Sequence, residues 1–412
     1  MATTTGRGSL GTIHIISSGN SAANGYSVEA SPYTNLFELM PVGTIADDGY
    51  VRGTAFGSGV HLVAPLSTLS ESDRTLTLDR VGDLGTVSIA GNTTDYPTSD
   101  PVVNFKGYTD LGYTLEELGL DTGNYYALGG SSGAAPVIAA AAALILEASD
   151  NNIFNSSGLG WRDVQEILAL SARHTGSGLL EGYDDSYEHH PWTINGANNF
   201  NGGGLHFAPD YGFGMLDVHA AVRLSETWTL QHASANMVTH SVVANTADTI
   251  EYGTVVEMTL DLSGYSALDL DVVSLDLDIT HDNWSELLIT VISPDGTESI
   301  IFDTPGLTAT SFHNDQQPMT GQLEWGVLSR AFWNETTQGT WTIRIEDVVD
   351  NGNSGSVSSI TAHFQGDTNT DDDTYFFTDD WSIMNDANGG VPTLDDNAGT
   401  NTINASPVSE GI

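Results

Sequence analysis

Residues Ala134–Ala148 are apolar on nearly every face of a helix, with Glu147 the one charge among them. A surface helix needs a polar stripe to meet water, so this run predicts a helix buried all round. Its apolar part, Ala134–Leu146, is short of the ~18–20 residues that a membrane span requires. A core must therefore be built around it, and the flanking sequence supplies the parts. Thr12–Ile16 reads as a buried β-branched strand running into the loop Ser17-Ser18-Gly19-Asn20, and Val60–Val63 before Ala64-Pro65 reads as another. Trp161–Leu168 has an apolar residue every three or four positions, as in an amphipathic helix. Strands alternating with helices over residues 1–224 predict an α/β layer with a largely parallel sheet. Residues 176–210, rich in Gly, Asn and Asp, read as a long surface loop.

From residue 226 the texture changes. Alternating runs at Val255–Leu262, Leu268–Ile279, Leu287–Ile292, Trp341–Ile345 and Ser356–Phe364 are separated by turns such as Ser293-Pro294-Asp295-Gly296. Helix signals nearly vanish, so residues 226–366 are expected to form a β-sandwich. Residues 367–412 carry Asp371-Asp372-Asp373 and then Asn, Asp, Thr and Gly, the composition of an acidic linker.

The charge balance narrows the partners. Of 412 residues, 54 are acidic and 10 basic, for a formal net charge of −44, and Lys106 is the only lysine. Such a field repels nucleic acid and anionic membrane surfaces and offers many oxygen ligands to hard cations, calcium above all. The absence of cysteine excludes disulfides and thiolate metal sites. Met1–Gly11 has no apolar core and is not a signal peptide.

Chemistry concentrates at Gly130-Ser131-Ser132-Gly133-Ala134-Ala135-Pro136, where a tight loop enters the apolar helix. A serine there meets the unpaired amides and partial positive charge of a helix N-terminus, which stabilise a nearby oxyanion. The same residues suit a serine that merely caps a buried helix. The segment resembles the nucleophile motif Gly-Thr-Ser-x-Ala-Ala-Pro of the subtilisin family, with Ser131 in place of threonine. Ser17-Ser18-Gly19-Asn20 is similar to the family's loop whose asparagine completes the oxyanion hole. Val42-Gly43-Thr44, Leu62-Val63-Ala64-Pro65, Trp161–Leu168 and Tyr211-Gly212-Phe213-Gly214-Met215-Leu216-Asp217 with Ala220-Ala221-Val222 follow in the family's order, the last resembling the close of a kexin-type catalytic domain. His281-Asp282-Asn283-Trp284-Ser285-Glu286-Leu287, Ser293–Thr297 and Gly339-Thr340-Trp341-Thr342 resemble the P (homo B) domain of proprotein convertases, a jelly-roll sandwich. Those residues read as scaffold. The tail is similar to the C-terminal module of serralysin-type and other type I-secreted proteins, although no glycine-aspartate nonapeptide repeat is present.

The resemblance implies a subtilisin-like parallel-sheet portion followed by a jelly-roll sandwich, in a secreted, bacterial, calcium-supported serine endopeptidase acting on proteins or peptides. It implies Ser132 as nucleophile, Asn20 as oxyanion donor, and Ser17, Ser18 and Gly19 as backbone that binds substrate. The family's triad runs Asp, His, Ser, and here no histidine precedes a glycine. His14 falls within the strand, and His61 comes after Asn20, out of order. Asp121-Thr122-Gly123 matches the family's aspartate pattern yet lies 11 residues before Ser132, and reads as a turn. The chain is therefore expected to be inactive by itself, with the missing N-terminal part of its own catalytic domain as a partner. The alternative is a non-catalytic pseudoprotease or a β-sandwich binding protein. Kexins place an acidic residue before a Gly-Tyr-Thr-Asn stretch at their basic-residue pocket. Here Ser31-Pro32 precedes Tyr33-Thr34-Asn35, so a preference for Lys or Arg is not expected, although Glu29 is near.

Overall fold

The computed structural model describes residues 2–22, 25–66, 75–78, 125–128, 130–150, 152, 155, 157–305, 320–387, 396 and 398–409. Asp121-Thr122-Gly123 lies outside them.

The first portion is built on a parallel sheet ordered β1 (His14–Ser17), β2 (Leu39–Ile45), β3 (Leu62–Pro65). A further antiparallel pair joins β4 (Thr75–Leu78) to β5 (Tyr125–Leu128). Against the parallel sheet pack α1 (Ser131–Ser149), α2 (Trp161–Ser171) and α3 (Val218–Ser225). The sandwich that follows has two antiparallel sheets. Beyond the short pair β6 (Thr193–Ile194) and β7 (His206–Phe207), it uses β8 (Val238–Asn245), β9 (Thr249–Glu251), β10 (Val255–Asp261), β11 (Leu268–His281), β12 (Leu287–Ile292), β13 (Glu298–Asp303), β14 (Gly321–Ser329), β15 (Thr340–Asp347) and β16 (Ser354–Thr368). One sheet runs β10-β15-β12-β13, the other β14-β11-β16-β8 with β9 also on β16. Alternation along β15, with Trp341, Ile343 and Ile345 buried between half-exposed neighbours, shows the period of 2 that the sequence carries. The expected α/β portion followed by an all-β sandwich is what the chain forms.

The two main helices exchange the roles expected of them. α1 buries Ala134, Ile138, Ala141, Ala142 and Ile145, but exposes Pro136, Val137, Ala139, Ala140, Ala143 and Leu144. It is not buried all round, because among the described residues nothing covers its second face. Its 19 residues are, by length and composition alone, enough to cross a membrane, contrary to the reading of its shorter apolar part. In α2, by contrast, every residue from Trp161 to Ser171 is buried. The polar stripe expected to face water instead faces the sandwich and the segment leading into it.

Two arginines show how. Arg162, 1% exposed, reaches from α2 to Asp271 on β11 (Nε–Oδ2 2.6 Å) and to Asp367 on β16 (Nη1–Oδ1 3.2 Å). Arg330, 0% exposed, reaches back from the end of β14 into the first portion. It donates to the carbonyl oxygens of Phe37 (3.1 Å), Leu39 (2.7 Å) and Gly59 (3.1 Å) and to Gln165 Oε1 (3.2 Å). Burial pulls the Arg330 guanidinium down to about 9, still cationic at neutral pH. The first portion's core accordingly includes Val272, Leu328, Ala331 and Trp333 from the sandwich.

Three further expectations are corrected. β1 is half-buried, as befits an outer strand of its sheet. Residues 176–210 are no surface loop: Trp192, Phe200, Leu205 and Phe207 are buried in the first core, with Trp192 stacked on Tyr211 at 5.2 Å. The tail is not a solvated linker, since β17 (Thr374–Phe376) pairs with β18 (Thr402–Asn404) and α4 (Trp381–Ala387) buries Met384. Phe376 stacks on Trp228 at 5.6 Å, which aromatic burial favours over solvation.

Two predictions follow from the buried charges. Removing Arg162 strands Asp271, 4% exposed, without its cation. Arg162→Ala should therefore cost about 3–5 kcal/mol in urea denaturation of the chain. The second concerns His232, whose Nδ1 lies 3.0 Å from Glu166 and whose Nε2 lies 3.4 Å from Asp367. Burial disfavours its charge, but the hydrogen bond to Glu166 and the surrounding carboxylates outweigh it and push His232 up to about 9. Its folded value exceeds the ~6.5 of a free imidazole, so its stabilisation is complete below that pH and lost as pH rises through about 9. The melting temperature should fall over that window, by an equivalent on the order of 3 kcal/mol. His232→Gln should flatten the fall; an unchanged slope would exclude His232 as its source.

Candidate active site

Parallel strands deliver their C-terminal ends to one side of a sheet, and helix N-termini meet them there. β1 ends at Ser17, and Ser18, Gly19 and Asn20 turn beneath the first residue of α1. Gly130 enters that helix at φ 80° and ψ 177°, a conformation that essentially only glycine adopts. No side chain of its own caps the helix. The cap comes from Asn20, 111 residues away, whose Oδ1 accepts from the Ser131 amide at 3.0 Å. The Ser131 hydroxyl lies 2.8 Å from the same oxygen and 3.1 Å from Gly19 O, and accepts from the Gly19 amide at 3.3 Å.

This network fixes which way Asn20 faces. With Oδ1 turned to the Ser131 donors, the Nδ2 amino group faces away from them. Asn20 is exposed, and so is Ser132, one residue further along α1. Ser17, Ser18, Gly19 and Asn20 line a cavity of about 470 Å3 together with Ile16, Tyr26, Ser27, Ser31, Thr34 and Ala55. The expected site residues from the β1 loop are thus brought together beside the helix that carries Ser132. Ser131, in the sequence only a replacement for the family's threonine, is the side chain that ties the two segments. Its signal was a second hydroxyl next to the candidate nucleophile.

No charged side chain lines this cavity among the described residues. Glu29, the near carboxylate, is 0% exposed and turned elsewhere, accepting from the Ser58 amide at 3.0 Å. Burial raises its carboxyl to about 7. His61 is buried, its Nε2 3.0 Å from Gln165 O, and burial and Arg330 hold it well below the usual imidazole range. His14 is half-buried within β1. Among the described residues no hydrogen bond joins Ser132 to a histidine.

Residues 1–214 match the model of the subtilase family. The chain belongs to that family. Residues 270–376 match the proprotein convertase P-domain. The subtilase portion and P-domain together resemble Furin-1 of Xenopus laevis, 24% identical over 365 residues that make up 88% of this chain and 38% of the relative. They also resemble the Aeromonas extracellular serine protease of Aeromonas sobria, 26% identical over 301 residues, 65% of this chain and 44% of the relative. The chain therefore spans less than half the length of these curated relatives. The crystal structure of a serine protease of Aeromonas sobria superposes with a TM-score of 0.64 at 21% identity, covering 87% of this chain and 65% of that one. The subtilase fold joined to a P-domain sandwich is shared, and the chain is a kexin- and furin-like member of its family.

A second cavity, of about 690 Å3, opens where the subtilase portion, the P-domain and the tail meet. Asp269, Asp271, Asp295, Glu335, Asp371 and Asp373 line it. Burial raises the carboxyls of Asp269 and Asp271 to about 6, opposed by Asn369 in the first and by Arg162 in the second. Glu335 is 1% exposed, and its Oε2 has no hydrogen-bond partner. Asp271 is already paired with Arg162, and among the described residues no three of these carboxylates bring ligand atoms within 4.8 Å of one another.

Proposed function

We propose that this chain is the nucleophile-bearing part of a secreted serine endopeptidase, in which Ser132 attacks a peptide carbonyl and Asn20 Nδ2 donates to the resulting oxyanion. The observation that carries this reading is the Asn20–Ser131 link, which holds an asparagine amide at the entrance of the helix bearing Ser132. In this mechanism Ser17, Ser18 and Gly19 offer backbone groups to an extended substrate. Hydrolysis also requires a base for the Ser132 hydroxyl proton. We assign it to a histidine of the remaining part of the catalytic domain, which would pack on the apolar face of α1 displayed by Val137 and Leu144. The neutral lining of the cavity favours an uncharged substrate side chain over Lys or Arg.

The test uses the protein translated from the full open reading frame. Ser132→Ala should abolish peptide hydrolysis with an unchanged far-UV circular dichroism spectrum. Asn20→Ala should lower kcat by about 10²–10³-fold, the usual loss of one oxyanion donor. Residual turnover in Ser132→Ala, or a reading frame that encodes no Asp and His before Asn20, would favour a pseudoprotease instead.

Calcium held between Asp269 of the P-domain and Asp373 at the start of the tail would offset their mutual repulsion and tie the two together. Chelation by EGTA should lower the melting temperature, and calcium alone should restore it. Asp269→Asn should blunt that response. A melt indifferent to EGTA would remove calcium from the account.

A further inference from the structure

At one end of the P-domain sandwich three ligand-type side chains converge from separate strands. His281 closes β11, Glu286 ends the short turn Trp284–Glu286 before β12, and Asp347 closes β15. One ligand atom from each lies within 4.8 Å of the others. The residues are 1%, 3% and 3% exposed, respectively. His281 Nε2 and Asp347 Oδ2 face each other at 3.4 Å, and neither has a hydrogen-bond partner.

Two uncompensated polar atoms facing each other in a core require an explanation. His281 Nδ1 lies 2.8 Å from the Asn283 carbonyl oxygen and 3.1 Å from the Asn283 amide, which can donate to it, so these contacts admit either tautomer of the ring. In the tautomer protonated on Nδ1 the Nε2 lone pair faces a carboxylate oxygen at 3.4 Å, and a cation between the two would turn that repulsion into ligation. The spacing fits that cation: two donors ~2.0–2.1 Å from a tetrahedral zinc ion stand roughly 3.3 Å apart. The surrounding shell is also that of a metal site, in which partners orient each ligand. Glu286 Oε1 accepts from the side-chain amides of Asn283 (2.7 Å), Asn351 (2.8 Å) and Asn353 (3.0 Å). The Asn351 amide is oriented by its own oxygen, which accepts from the Asn353 backbone at 2.9 Å. Asp347 Oδ1 accepts from the Val349 amide at 2.9 Å, leaving Oδ2 to the cluster.

We propose that His281 Nε2, Asp347 Oδ2 and Glu286 bind a transition-metal-type divalent cation, zinc being the best match for one imidazole and two carboxylates. The ion joins β11 of one sheet to β12 and β15 of the other. It is a structural site, remote in kind from the oxygen-only cavity assigned to calcium, and it does not depend on the protease reading.

The experiment uses the full chain, stripped with dipicolinate and then titrated with zinc sulfate or cobalt chloride. One equivalent of zinc should remain after gel filtration, raise the melting temperature, and be displaced from a cobalt form with visible d–d absorption. His281→Gln should abolish both the retained equivalent and the cobalt spectrum. Should that variant not fold, Asn353→Ala leaves the ligands in place and should weaken zinc binding by about 10–100-fold. Failure of the unmodified chain to retain zinc, retention of the full equivalent by folded His281→Gln, or a melt that responds to calcium and not to zinc at this site would each overturn the proposal.

Discussion

Helix α2 is the hinge-pin of the molecule in the sense that both halves are incomplete without it. A helix with Arg162, Asp163, Gln165 and Glu166 on one side is stable in a core only if each of those groups finds a partner. Phe37 O and the Gly160 amide supply two partners from the subtilase portion, and the rest, Asp271, Asp367, Trp228, Arg330 and His232, come from beyond residue 224. The subtilase portion therefore exposes to the P-domain a surface that would be costly to leave bare, and the P-domain returns Arg330 to backbone carbonyls around β2. Two of only 10 basic residues in the chain are spent inside this interface. Docking is thus set by charge-assisted hydrogen bonds of fixed geometry rather than by apolar area alone.

That docking also bears on the site. Arg330 holds the carbonyls of Phe37, Leu39 and Gly59, and β2 in turn pairs with β1, whose end carries Ser17–Asn20. The β1 loop is then pinned from two directions, by the sheet behind it and by Ser131 in front. An oxyanion donor acts through preorganisation, since a group already aimed at the developing charge needs no rearrangement during reaction. A path of hydrogen bonds and strand pairing from the sandwich to Asn20 gives a physical reason for a P-domain to accompany a subtilase portion.

Much of this was legible in the sequence. Ser132, Asn20 and their loop could be named because their segments resemble the subtilase nucleophile and oxyanion motifs in the family's order, and the sandwich strands because apolar and polar residues alternate along them. Burial was not legible. Periodicity reports which faces of a helix are polar, not what covers them, so α1 and α2 exchanged expectations. The stretch 176–210 looked solvated because Gly, Asn and Asp dominate it, yet its few aromatics, Trp192, Phe200 and Phe207, decide where it lies. The cluster of His281, Glu286 and Asp347 was hidden for a different reason. His281 and Glu286 lie in a segment that reads as a turn, and the third ligand follows 61 residues after Glu286, a separation only the strand order β12-β15 closes.

With no cysteine, the chain cannot use disulfides to hold its ends together, and a net charge of −44 works against compactness. Buried and half-buried acidic groups gather in two places. The first gathering is the carboxylate cavity where three segments meet; the second is the triad that spans the two sheets. With the proposed divalent ions in place, the same excess of carboxylates that works against compactness would supply the cross-linking that cysteines otherwise provide. The two arrangements differ in chemistry, all-oxygen and open in one case, imidazole-containing and buried in the other. They should therefore select different ions, so under these two proposals the stability of the P-domain and its attachment to the tail would be governed independently.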